Sequence, residues 1–316
     1  MPETSVIVNC HNGAEFLRDC LDSIFGQSVT NWEIIFWDNF SSDNSLEIAK
    51  SYGPKVRCFR SDSKTSLGLA RKLAMQKAKG EFIAFLDTDD IWLPHHLAIQ
   101  VQFMKSNEYL ASYAGIQEIR GDGKFIRDVI PEFSSGPQLR NILRQFEINV
   151  PTMMLHRSLV FNYGFIFNPS ISIVEEFELF VRISVEHEIG VIKDVLAKYR
   201  VHDQGMTQKT PHIAAKERDI ILKQLMEKHP AVYAENTEHF AAAFSRSAYY
   251  RARACAESGD LRQAREEFSA HRHENLIYYF LYFSFWLPKI FWQRLNVDDL
   301  KRKPIFAAVL RMIIKK

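Results

Sequence analysis

Apolar residues in the first 90 positions alternate between two spacings. Ser5-Val6-Ile7-Val8 is a continuous apolar run of strand length. After the turn Asn12-Gly13, Phe16, Leu17, Cys20, Leu21, Ile24 and Phe25 recur at helical spacing. Trp32 to Trp37, Val56 to Phe59 and Glu81 to Leu86 repeat the strand pattern. Between them, the polar turn Asn39 to Asp43 opens a helix through Ala49. Leu67 to Ala78 forms another helix, with Gly80 expected to cap it. Strands separated by helices predict parallel pairing with right-handed crossovers. Ligands of such sheets bind at the carboxyl ends of the strands.

The pattern loosens after residue 90. Pro94 is expected to open a helix reaching about Lys105, and residues 110–131 read as two strands around Gly121-Asp122-Gly123. A helix is expected over 135–147 and a strand over Thr152 to His156. Glu175 to His187 forms an amphipathic helix, and Ala197 to Val201 a last strand. Beyond about residue 210 only helical spacing remains. Arg246 to Ala270, with Gly259-Asp260 in the middle, resembles one tetratricopeptide-like helical hairpin, and a single unit is not a solenoid. The expectation is an α/β domain over residues 1–210 and a helical region over 211–316.

Composition changes this picture little. The chain has 316 residues, 47% hydrophobic and 25% charged, which suits a packed globular core. A net charge of +2 gives no case for nucleic acid. The charge is unevenly spread, however. Residues 276–316 carry eight Lys or Arg against two acids, Asp298 and Asp299, leaving a net acidic body. Cys10, Cys20, Cys58 and Cys255 form no C-x-x-C pair and read as reduced thiols. The histidines lack H-E-x-x-H spacing, so no zinc site is expected. Met1 to Thr4 runs straight into a strand without a basic leader, so a cytoplasmic location is expected.

Five clusters carry candidate chemistry. Phe85-Leu86-Asp87-Thr88-Asp89-Asp90 ends the very apolar fourth strand. In extended chain Asp87 and Asp89 share one side, about 7 Å apart. Two such carboxylates suit a hard divalent cation, which offsets the repulsion between these acids and a diphosphate. The bland alternative is an acidic turn ahead of a helix, and D-x-D alone is a weak signal. Asp38 ends the second strand on the same rim, where a carboxylate accepts from a base N–H or a ribose hydroxyl. Asp43, by contrast, is well placed as a helix cap. Arg71, on the helix from Leu67, is placed to pair with phosphate or with Asp87, or simply to face solvent. Glu175, Glu176 and Glu178 open a helix, where acids are favoured anyway; a carboxylate there is also a candidate general base for a sugar hydroxyl. His202, just past the last strand, is a candidate for contact with metal or diphosphate, with a structural role as the simpler reading.

These clusters, in this order, resemble the family-2 glycosyltransferases of the GT-A (Rossmann-like) fold, over about residues 4–207. Val6 to Asn12 is similar to the family's opening strand and loop, with His11 where Tyr is more usual. Trp37-Asp38-Asn39 with Ser41, Ser42 and Asp43 resembles its base-contacting turn. Gly68 to Arg71 and Gly80 to Asp90 resemble its most distinctive stretch. The resemblance implies donor contacts from Asn9, His11, Asp38, Arg71, Asp87 and Thr88. It implies Mn2+ or Mg2+ held at Asp87, Asp89 and His202. It implies a base at Glu176, with Glu175 as the alternative. Two departures bear on this: Glu176 replaces the usual Asp, and Lys72 the usual Asn. The implied reaction is a single inverting displacement on a nucleoside-diphosphate sugar, a UDP-sugar being favoured. The transferred group would be a hexosyl or N-acetylhexosaminyl residue. The implied acceptor is a glycan or lipid-linked glycan of bacterial surface-polysaccharide assembly.

Two rivals are weaker. A sugar nucleotidyltransferase would want a Gly-rich phosphate loop after the first strand, where Cys10-His11-Asn12-Gly13 has one Gly. A non-catalytic sugar-nucleotide-binding protein would be expected to lose the paired acids, and both pairs are present. The tail adds location. Leu276 to Trp292 holds nine aromatics in seventeen residues, and Lys301 to Lys303 and Lys315-Lys316 flank Ile305 to Ile314. This run is too short to span a bilayer. It suits peripheral contact at the inner face of the cell membrane. The alternatives are packing as core or a homodimer interface.

Overall fold

The computed structural model describes residues 1–202, 210–271 and 282–286. The chain divides into two compact units, Met1–Lys209 and Thr210–Lys316. The first is a mixed sheet flanked by helices. Its strands are β1 (Thr4–Cys10), β2 (Trp32–Asp38), β3 (Val56–Arg60), β4 (Phe82–Phe85), β5 (Ile91–Trp92), β6 (Ala111–Arg120), β7 (Phe125–Val129), β8 (Met154–His156) and β9 (Gly190–Val201). Its helices are α1 (Leu17–Phe25), α2 (Ser45–Ser51), α3 (Leu67–Met75), α4 (His96–Asn107), α5 (Leu139–Arg144), α6 (Arg157–Phe161) and α7 (Glu175–Glu186). The strand order is β3-β2-β1-β4-β8-β6-β9-β5, with β7 paired to β6.

The first four strands pair in parallel, as their helical connections require. Register sets Cys10 opposite Asp38 and Ile7 opposite Phe85, so the rims of β1, β2 and β4 coincide. Every residue of β1, β2 and β4 is buried, which explains their nearly unbroken apolar runs. The α1 helix lays Leu17, Cys20, Leu21 and Ile24 on the sheet. Cys10 and Cys20 are buried free thiols, and burial pushes both above their usual pKa.

From β4 onward pairing changes direction. The β8 strand is antiparallel to both β4 and β6, whereas β9 runs parallel to β6 and antiparallel to β5. The β6–β7 hairpin forms as its turn residues predict, with Gly123 at φ 83°. Elements of two to five residues, β5 and α6, were not anticipated, because they are too short to show a period. The last strand starts at Gly190, seven residues earlier than expected.

Gly80 is not a helix cap. The α3 helix ends at Met75, and Gly80 instead lies against the start of β1. A Cβ there would stand 2.5 Å from the Ser5 nitrogen. The close approach lets Lys79 N and Gly80 N donate to Ser5 Oγ at 3.0 and 2.8 Å. Ser5 Oγ donates in turn to Glu33 Oε1 at 2.7 Å, so the polar groups of this buried corner are satisfied.

The second unit is helical: Pro211–Lys228, Pro230–Glu235, Thr237–Ser258 and Leu261–Phe268. Gly259, at φ 100°, closes the long helix in the left-handed region, and Asp260 accepts from Gln263 N at 2.9 Å to cap the next. Ala248, Ala252, Ala256, Ala264, Phe268 and Phe285 form its core. Among the described residues no helix is long and apolar enough to cross a membrane. The expectations for residues 276–316 lie outside the described residues except at 282–286. There Phe285 is buried, while Phe283 and Trp286 are exposed and the Arg265 guanidinium sits 4.3 Å from the Trp286 ring.

Candidate active site

The loops leaving β1 and β2 are sewn together by short polar side chains. Asn12 N donates to Ser41 Oγ at 3.0 Å, Gly13 N to Ser45 Oγ at 3.1 Å and Ala14 N to Asp43 Oδ2 at 3.0 Å. In the other direction, Asn12 Oδ1 accepts from Ser42 N at 2.7 Å. Asp43 therefore does more than start α2: its Oδ1 receives Ser45 while its Oδ2 holds the neighbouring loop. Asn39 is equally committed, accepting from Thr65 N at 3.0 Å and donating to Thr65 O at 3.0 Å. The loop serine, threonine and asparagine residues thus replace the backbone partners that irregular chain lacks.

Asp38 stands apart inside this mesh. It is fully buried at the rim of β2, and its Oδ1 accepts from Ser41 N at 2.9 Å. No hydrogen bond reaches its Oδ2 among the described residues; Arg60 Nε lies 3.4 Å away. The Asn9 Nδ2 is likewise buried and without a partner among the described residues. His11 is exposed, with Nδ1 3.0 Å from Asn39 O. Thr88 lies against the β1 loop: a Cβ on Gly13 would come within 2.7 Å of Thr88 Oγ1.

The D-x-D segment is not extended as expected. Asp90 N donates to Asp87 O at 3.1 Å, folding Asp87 to Asp90 into a turn. The two acids consequently face different partners. Asp87 Oδ1 takes Arg71 Nη2 at 2.7 Å, and Asp89 Oδ2 meets His202 Nε2 at 2.8 Å. Arg71 is buried, its ring neighbour is Phe167, and its second arm donates to Glu175 Oε1. Burial opposes the Arg71 charge, but Asp87, Glu175 and Glu176 more than offset it and hold the guanidinium above its usual pKa.

Arg200 and Asp90 complete the turn, and neither was singled out from sequence. Arg200 N donates to Asp90 Oδ1 at 2.9 Å, its Nε to Asp89 O at 2.9 Å, and its Nη1 to Gly121 O at 2.9 Å. Its guanidinium also reaches Asp19 at 3.1 Å and lies 4.5 Å from the Phe16 ring. The available signals were the third acid directly after D-x-D and a basic residue two before His202.

The first turn of α7 separates the two glutamates. Glu175 is buried on Arg71, whereas Glu176 is only partly buried. The Glu176 charge contributes to the upward shifts of both Arg71 and Tyr199, so it lies within reach of the same rim. Glu178, one turn on the other side, is spent on a two-armed pair with Arg182.

Among the described residues no group of three or more His, Cys, Asp or Glu is gathered as a ready metal cage. The donor set nevertheless fits a hard divalent cation. Asp87 and Asp89 are each 32% exposed at the rim. Burial and the Asp87 charge push Asp89 upward, a like-charge strain that a cation would relieve. Mg2+ and Mn2+ commonly use one or two carboxylates and complete their shell with water and phosphate. A cavity of about 750 Å3 opens at the other end of the sheet, lined by Glu3, Lys79, Glu81 and His156, and contains none of these groups.

The sequence of residues 5–164 matches the family model described as glycosyl transferase family 2. The chain belongs to that family. This family-2 chain is 29% identical over 212 residues to an uncharacterized glycosyltransferase of Rickettsia felis, a match covering 66% of this chain and 35% of the relative. It thus spans about a third of the length of that relative. It is 25% identical over 206 residues to the Escherichia coli UDP-Glc:alpha-D-GlcNAc-diphosphoundecaprenol beta-1,3-glucosyltransferase WfgD, covering 64% of this chain and 79% of WfgD. Among solved structures, residues 1-349 of S. aureus TarS in complex with UDP-GlcNAc superpose with a TM-score of 0.62 at 16% identity, over 84% of this chain and 88% of that one. The mannosyltransferase PcManGT from Pyrobaculum calidifontis, in complex with GDP-Man and Mn2+, gives 0.62 at 16% identity, over 100% and 88%. These superpositions establish the GT-A fold.

Proposed function

We propose that this chain is an inverting glycosyltransferase, moving a sugar from a nucleoside-diphosphate donor to an acceptor hydroxyl. The observation that carries the reading is the meeting of Asp38, Asp87, Asp89, Arg71 and the α7 acids at the carboxyl rim of one parallel ladder. The donor's base or ribose gives a hydrogen bond to Asp38 Oδ2, the buried oxygen that no hydrogen bond reaches among the described residues and that lies 3.4 Å from Arg60 Nε. Asn9, His11 and Thr88 line the loops around it. Asp87 and Asp89, with His202 beside them, would hold Mn2+ or Mg2+, which supplies Lewis-acid stabilisation of the leaving diphosphate. Glu176 accepts the proton of the acceptor hydroxyl as that oxygen attacks the anomeric carbon opposite the diphosphate. One displacement inverts the configuration, and the proton ends on Glu176.

A UDP-sugar is the favoured donor, supported by the UDP-glucose named for WfgD and the UDP-GlcNAc bound to TarS. The diphosphoundecaprenol in WfgD's name supports a lipid-linked glycan acceptor. That acceptor gives the aromatic, basic tail a use at the membrane surface. The test of the reaction is diphosphate release from a panel of nucleotide sugars with Mn2+. Turnover should be lost in EDTA and in Asp89→Ala with the fold intact; full activity in EDTA would remove the metal from the mechanism. The test of location is co-sedimentation with anionic vesicles at low salt. Truncation after Trp286 retains the buried Phe285 but removes all eight Lys and Arg of the tail, and should weaken sedimentation. Full-length protein that stays in the supernatant would leave the tail a structural or dimerising role.

A further inference from the structure

Arg71 is a fully buried cation placed between two carboxylates on different elements: Asp87, after β4, and Glu175, in the first turn of α7. Two acids around one guanidinium leave the trio with a net single negative charge. A buried charge must be compensated to persist, and here Arg71 is compensated twice. Asp87 is about one-third exposed at the rim, whereas Arg71 and the Glu175 side chain are each 2% exposed. The negative charge of the trio therefore emerges toward solvent only through Asp87.

Without an anionic Glu175, the picture changes. The full Arg71 charge would fall on Asp87, and the pair would be neutral toward an incoming cation. With Glu175 charged, Arg71 is shared, and Asp87 keeps an anionic face. The same bridge ties the start of α7, and Glu176 with it, to the end of β4. Gly68 reinforces this packing: a Cβ there would come within 2.5 Å of Asn168 O and 2.8 Å of Ile171 O, in the segment leading to α7. The α3 helix that carries Arg71 thus seats directly against that segment.

We propose that Glu175 is a positioning residue rather than the base: it is the buried counter-ion that absorbs the Arg71 charge and so sets the affinity of Asp87 for a divalent cation. The inference rests on the metal-dependent reading above and assigns Glu175 a role with no contact to the metal or the substrate.

The experiment is Mn2+ binding, read by electron paramagnetic resonance of free Mn2+, on full-length protein with and without UDP. Glu175→Gln should weaken Mn2+ binding about tenfold, equivalent to about 1.4 kcal/mol. Glu176→Gln removes the same charge one residue away and should change it less than twofold. Glu175→Asp keeps the charge and should stay within about threefold of wild type. Equal effects from Glu175→Gln and Glu176→Gln would reduce the result to general electrostatics and overturn the inference. So would an unchanged affinity in Glu175→Gln. If Glu175→Gln does not fold, Arg71→Gln decides: without the guanidinium, Mn2+ should bind at least as tightly while turnover collapses, and weaker binding overturns the proposal. A wild-type protein that binds no Mn2+ in either condition is a different failure, since it removes the metal reading itself.

Discussion

The two halves of the sheet unit are built on different principles. Residues 1–90 form a parallel ladder whose rim loops fasten to one another through Asn12, Ser41, Asp43 and Ser45. Residues 91–201 form a mixed sheet whose connections are held by isolated long-range anchors. Glu147, for example, takes the Tyr113 hydroxyl at 2.6 Å and Glu132 N at 2.8 Å. On the proposed reading, the first half supplies the rim that grips the donor. On the same reading, the second half supplies α7 and its Glu176 for the proton transfer. Binding and proton transfer would then be separable in kinetics.

The sharpest way to break that division is Glu176→Gln. It preserves shape but cannot take the proton, so kcat should fall roughly 10²–10⁴-fold with donor KM little changed. A dead Glu175→Gln beside an active Glu176→Gln would move the base by one residue and sink the counter-ion role as well. The next largest effect should be structural. Gly80→Ala drives a Cβ into the backbone at Ser5 and Thr4, with no side chain able to yield. It should cost roughly 2–4 kcal/mol in chemical denaturation. Gly190→Ala meets the side chains of Phe103 and Tyr109 at 2.6 and 2.8 Å rather than backbone, so it should cost less. If the second substitution proves worse, the first half is not the stiffer one. The smallest expected effect is Asp38→Asn, which swaps an acceptor oxygen for a donor at the open Oδ2. Donor KM should rise about tenfold, roughly 1.4 kcal/mol, with kcat held. A fall in kcat at unchanged KM would place Asp38 in the chemistry instead.

The same contrast decides what could be read from sequence. The parallel ladder announces itself because strands buried on both faces must be apolar throughout, and α1 must show its buried stripe. The candidate acids were visible because carboxylates at strand ends interrupt such runs. What stayed hidden depends on distance along the chain. Nothing near Gly80 signals Ser5, 75 residues earlier. Nothing at Arg200 signals Asp90, 110 residues earlier. The turn at Asp87–Asp90 closes on its own Asp90 N to Asp87 O bond, but the Arg200 and His202 contacts that hold it come from more than 100 residues away and leave no local signal. The pairing of Arg71 with Glu175 spans 104 residues and appears locally as a basic residue on one helix and an acid on another.

The reach of Arg200 also orders events in time. A ribosome delivers β1 to β4 well before residue 200 exists, and the ladder of local βα units can close early. The contacts of Arg200 with Asp89 O and Asp90 Oδ1 must wait for β9. The growing chain therefore carries the Asp87–Asp90 segment without its Arg200 contacts through much of its synthesis. The clasp on this turn closes only when Arg200 docks. A chain split between α7 and β9 would hold the whole acid inventory on one fragment and the clasp on the other, so activity would become a report of whether the two had met.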